Sequence, residues 1–114
     1  MADNVIYIDI EAGLKRVMNN AKLYAKLLLK FKDDPSFNEF DTVLTAGDME
    51  NAQIFNHKLK GLAANLSLLE LYKQCLQIEE QIKAGSVNPD QITIAKNVYA
   101  QTLEKADEVI AQYA

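Results

Sequence analysis

The chain has 114 residues, 49% hydrophobic and 25% charged, with a formal net charge of -4, which suits one domain spanning residues 1–114 and a single core. The acidic balance offers no basic stripe of the kind nucleic acid requires, and no run approaches the roughly 20 apolar residues that cross a bilayer. The start, Met1-Ala2-Asp3-Asn4, lacks a basic region leading into an apolar one, and Cys75, the only cysteine, allows neither an intrachain disulfide nor a thiolate cluster; a cytoplasmic monomer is expected.

Helical punctuation runs through the whole sequence. Asp9 is placed to cap a short first helix carrying Ile10, Leu14, Val17 and Met18, with Glu11 in the first turn where the helix dipole favours an anion. Asn19-Asn20 ends it. A second helix with Tyr24, Leu27, Leu28 and Phe31 at helical spacing runs to about Lys32, where Asp33-Asp34-Pro35 interrupts. Ser36 and Glu39 have the spacing of a capping box for a short helix bearing Phe37, Phe40, Val43 and Leu44, which Gly47 closes.

Asp48 then caps a helix reaching to about Leu66. Ser67 and Glu70 again have capping-box spacing, and the following helix aligns Leu68, Leu71, Cys75, Ile78 and Ile82 before stopping at Gly85. The last helix takes Asn88 as cap, Pro89 at its first position and Gln91 at its third, then carries Ile92, Ala95, Tyr99, Leu103, Ala106, Ile110 and Tyr113. Nothing reads as strand. Amphipathic helices with short connections imply an all-α, antiparallel four-helix bundle with an additional short N-terminal helix, and the helical spacing of the tyrosines and phenylalanines places them in its core.

Among these helices, the one from Asp48 holds the only histidine, His57. At about 100° per residue, Ala52, Phe55, Leu59, Leu62, Ala63 and Leu66 fall on the face opposite His57, so its imidazole points to water. Its own face carries Glu50, Gln53, Lys60, Gly61 and Ala64. An ammonium therefore sits one turn on, with little side-chain bulk beyond it. A glycine inside a helix costs roughly 1 kcal/mol relative to alanine, so Gly61 implies either close approach of a partner or a notch for helix packing.

Gly47-Asp48, His57 followed by Leu59-Lys60-Gly61, then Ala64-Asn65-Leu66, Leu71, Cys75 and Glu79 together resemble the histidine-containing phosphotransfer (HPt) domain family. The resemblance spans essentially the whole chain. It implies a phosphorelay intermediate that carries a phosphoryl group on His57 between receiver-domain aspartates, with response-regulator receivers and a hybrid sensor histidine kinase as partners. A neutral imidazole is a usable nucleophile near pH 7, since the group ordinarily titrates near pH 6.5. Lys60 would balance charge on the phosphoryl oxygens, Gly61 would leave steric access, and Lys58, about 100° round the helix, is a weaker candidate.

No cofactor or metal is expected in the chain itself, the magnesium ion being supplied by the partner receiver. Glu79 is at the place from which some relatives orient the histidine ring, and a carboxylate there would either hold the ring or repel phosphate. The docking surface is expected to include Ile54, Ala64, Leu14 and Met18. Where many relatives have a small residue before the histidine and small or hydroxyl residues after the glycine, this chain has Asn56 and Leu62. No glycine-rich phosphate loop or nucleotide motif is present, so a phosphocarrier is expected and not a kinase or hydrolase. The rival reading is a helical interaction module that binds a partner without being phosphorylated.

Overall fold

Polar caps set most of the helix starts. In a computed structural model describing residues 5–114, the chain forms α1 (Ile10–Arg16), α2 (Ala21–Asp33), α3 (Ser36–Thr45), α4 (Met49–Leu66), α5 (Leu69–Lys83) and α6 (Pro89–Tyr113). No strand occurs among the described residues, and residues 1–4, which bear on an export signal, lie outside them. Asp9 accepts from the Ala12 N–H at 3.1 Å, Asp48 from the Asn51 N–H at 3.1 Å and Asn88 from the Asp90 N–H at 2.9 Å. Each bond satisfies a donor that the first helical turn leaves unpaired. Asn20, expected only to end the first helix, also caps α2, accepting from the Leu23 N–H at 3.0 Å.

Neither capping box forms. Pro35 occupies the N-cap of α3, and Ser36 lies inside the helix with its N–H bonded to the Asp34 carboxylate at 2.8 Å. The fixed φ of Pro35 and the short side chain of Asp34 open the helix one residue early. Ser67 is the C-cap of α4 with a left-handed φ of 60°, and Leu68 opens α5 without a side-chain cap. Only these two residues separate the helices, so closing α4 consumes the serine that would have capped α5. The first helix also ends early. Its C-cap is Val17, and Met18 and Asn19 take φ of 55° and 61° to turn the chain into α2.

Four arms make the bundle. The α3–α4 hairpin turns through Gly47, which has a φ of 79°. The α4–α5 and α5–α6 hairpins follow, and α6 packs on α2. Thus α2 and α3, broken at Asp34-Pro35, share one arm, and α6 lies diagonal to α4. The core is Tyr24, Leu28, Phe31, Phe37, Phe40, Leu59, Leu66, Leu71, Ile78 and Val109 with smaller neighbours; Phe37 stacks on Tyr99 with centroids 4.1 Å apart. Across α5 and α6, Gln91 donates to Gln74 and accepts from Gln81 at 3.0 Å, while Gln81 accepts from the Asn88 N–H at 2.8 Å. Gln91 is therefore a buried cross-link between helices and not a capping side chain.

The short α1 lies across the end where α2 begins and α4 finishes. Its approach is anchored by the Asp9 N–H, which donates to the Ser67 carbonyl at 2.9 Å. The fully buried Tyr24 donates its hydroxyl to the Leu66 carbonyl at 2.7 Å, tying α2 to the same point. Gly13 permits this seating, because a Cβ there would overlap the Tyr24 ring and hydroxyl.

Candidate functional site

The site is built on α4. Ala52, Asn56, Leu59, Ala63 and Leu66 are its buried residues, spaced by fours and threes as one helical seam requires. His57, one step round from that seam, is exposed. Among the described residues it has no hydrogen-bond partner, so its ring nitrogens face solvent. Phe55 and Leu62, placed by periodicity on the inner face, are only half-buried at the seam's edges.

Gly61 is exposed, and a Cβ built on it would meet nothing within 4 Å. No neighbouring helix packs into a notch at Gly61, and the space over it is open. Ile54, 58% exposed, lies one turn before the histidine on the same side, and the half-buried Ala64 lies two turns after it.

Lys60 is not a free ammonium. Its Nζ donates to both carboxylate oxygens of Glu79 on α5, at 3.2 and 3.1 Å, with the two side chains 22% and 19% exposed. The Glu79 carboxylate, expected either to hold the ring or to repel phosphate, is engaged by Lys60, and no hydrogen bond joins it to His57. That bond holds the Glu79 carboxyl below its ordinary range, helped by the charges of Lys60, Lys83 and His57. Lys60 is three residues after His57, so the two side chains lie on neighbouring positions of one face of α4.

Asn56 is a site residue that sequence reasoning passed over. It is 2% exposed, and its Nδ2 donates to the Cys75 carbonyl at 2.9 Å, clamping α4 to α5 immediately beside the histidine. The signal was available, since a lone polar residue on an apolar helical seam often sets register. Cys75 itself is buried, and burial pushes its thiol up to about 12, which makes it a core residue and not a nucleophile.

Toward the C-terminal end of α4, a cleft of about 840 Å³ lies between it and α1 and α2, with Val17, Leu27 and Leu62 in its apolar lining and Arg16, Lys30, Asp33 and Asp34 as its charged residues. Lys58 is exposed. Burial acts to raise Asp34, but the hydrogen bonds from Ser36 and the charge of Lys58 outweigh it and lower its carboxyl. Leu14 and Met18 do not line the cleft. Leu14 is half-buried on α1, and Met18, having left the helix, is 90% exposed at the bundle end. Among the described residues no three His, Cys, Asp or Glu side chains come together as a metal site, and no helix is long and apolar enough to cross a membrane.

These features define a helical bundle that offers one solvent-facing imidazole on an open helix face, flanked by lysines. The chain belongs to the Hpt domain family, whose profile matches residues 31–112. Membership carries a general role in histidine phosphotransfer within phosphorelays, as a phosphocarrier that meets receiver domains of two-component systems. The match leaves out α1 and most of α2. Comparison with curated proteins and with solved structures gave no match.

Proposed function

We propose that the chain carries a phosphoryl group on His57, taking it from the aspartyl phosphate of one receiver domain and delivering it to the aspartate of another. The donor receiver belongs to a hybrid sensor histidine kinase. A lone pair on an imidazole nitrogen attacks phosphorus, and the P–O bond to the aspartate breaks with its electron pair, freeing the carboxylate. The second ring nitrogen keeps its proton. Return transfer runs the same bonds in reverse. The observation that carries this reading is the exposed imidazole of the only histidine, one turn before Lys60 and the open space over Gly61.

Phosphoryl transfer depends mainly on positioning and on cations that meet the phosphoryl charge. Lys60, one turn after His57 on the same face, is the candidate ammonium, and the divalent ion is supplied by the receiver. The receiver covers Ile54 and Ala64 on α4 and extends over the cleft toward α1, with Met18 and Leu14 at the far edge. Val17, Leu27 and Leu62 supply an apolar centre there, while Arg16 and Lys30 share a polar rim of mixed charge with Asp33 and Asp34. Transient signalling interfaces are built this way.

The test is transfer from a panel of phosphorylated receiver domains to the wild type and to His57→Gln. Acid-labile phosphate should appear on His57 in the wild type and vanish in the variant, whose thermal midpoint stays near wild type because the ring is on the solvated face. Receiver binding without any labelling would favour the non-phosphorylated interaction module instead.

A further inference from the structure

The pairing of Lys60 with Glu79 raises a question about charge. A phosphoryl group brings roughly two negative charges to His57, and the ammonium placed to meet them already directs N–H groups at both oxygens of a carboxylate. The pair is partly exposed, its side chains 22% and 19% accessible, so water screens it somewhat less than a pair on an open surface. Lys83, one turn after Glu79 on α5, supports the carboxylate further. With a phosphoryl group on His57, three residues before it on the same face of α4, the same lysine would have two competing anionic partners.

We propose that Glu79 is a positioning residue that holds Lys60 away from the phosphoryl group on His57, so that the phosphohistidine is less stabilised and passes its group on more readily. The inference rests on His57 being the phosphoacceptor. It makes Glu79 a regulator of phosphoryl retention that acts through the lysine and touches neither the ring nor the phosphorus. Replacing the carboxylate by its neutral isostere frees the ammonium without removing bulk between α4 and α5.

Phosphoramidate, a small donor that needs no partner protein, tests this. The imidazole displaces ammonia, forming one P–N bond as another breaks, and the amine leaves with a proton from solvent. In an ammonium-buffered mixture the ratio of labelled to unlabelled His57 is approached from both directions. Glu79→Gln should raise that ratio about threefold, the scale of a partly exposed ion pair. Lys60→Met should lower it, and Glu79→Gln combined with Lys60→Met should match Lys60→Met alone, with all thermal midpoints close to wild type.

A purely structural role for Glu79 would leave the ratio unmoved, and that outcome overturns the proposal. So does a Glu79→Gln effect that persists in full without Lys60, because the carboxylate would then repel the phosphoryl group directly. A wild type that takes no label on His57 removes the phosphoacceptor reading itself, a failure distinct from either of these.

Discussion

Two substitutions at Gly61 separate the stability of α4 from access to His57. Gly61 lies inside an 18-residue helix, and a Cβ there meets no atom within 4 Å. Alanine therefore removes unfolded-state freedom and raises helix propensity without a steric cost, worth about 0.4–1 kcal/mol. For a domain of this size that is a rise of roughly 2–4 °C in thermal midpoint. Leucine gains a similar propensity but projects four carbons into the space a docking receiver must enter. Forcing a partner to accommodate them costs about 1–3 kcal/mol, and the middle of that range slows transfer more than tenfold. Thermal melts followed by circular dichroism, paired with transfer kinetics from a phosphorylated receiver, check both halves. A fall in midpoint for Gly61→Ala would refute the open helix face, and wild-type transfer by Gly61→Leu would refute the access argument.

Gly13→Ala should do the opposite, destabilising by about 1–3 kcal/mol in urea titrations because its methyl group displaces the buried Tyr24 ring; unchanged stability would mean α1 does not sit on α2 as described. Burial and the charge of Asp9 push the Tyr24 phenol up to about 12, so its contribution to stability is intact below pH 10, where the unfolded chain titrates, and is lost progressively toward pH 12. Tyr24→Phe should flatten that alkaline decline while costing about 1 kcal/mol at neutral pH through the lost bond to the Leu66 carbonyl. A disulfide reagent at neutral pH should label Cys75 only as the chain unfolds, and rapid native labelling would contradict its burial. Ile54→Glu should weaken receiver binding while Asn97→Glu, exposed on the diagonal helix α6, does not. Lys96→Glu is a poorer control because Lys96 pairs with Asp41 at 3.4 Å.

The parts of the molecule that could be read from sequence are those set within one helix. Asp9, Asp48 and Asn88 announce helix starts because their bonds reach only two or three residues ahead. The outward direction of His57 follows from the apolar positions around it on α4. Errors arise where one residue must serve two elements. Ser67 closes α4 and so cannot cap α5, and Met18 leaves the stripe of α1 because the turn into α2 needs it left-handed. The cleft beside α1 and α2 depends on how three helices meet, and no spacing along one of them contains that information.

The electrostatics of the site lie in the same category, and Asn56 shows why. Read along the chain, it is a polar residue just before the histidine. Folded, it lies on the buried seam and spends its amide on the Cys75 carbonyl, one helical turn before Glu79 on α5. That clamp fixes the register of α5 against α4, and the register brings the Glu79 carboxylate within 3.2 Å of the Lys60 ammonium. The resemblance pointed to Glu79 as a group near the ring, but the partner its carboxylate takes depends on how α5 is set against α4, which spacing along either helix does not contain. The buried Asn56 and the Lys60–Glu79 pair thus both join α4 to α5, one helical turn apart along each helix.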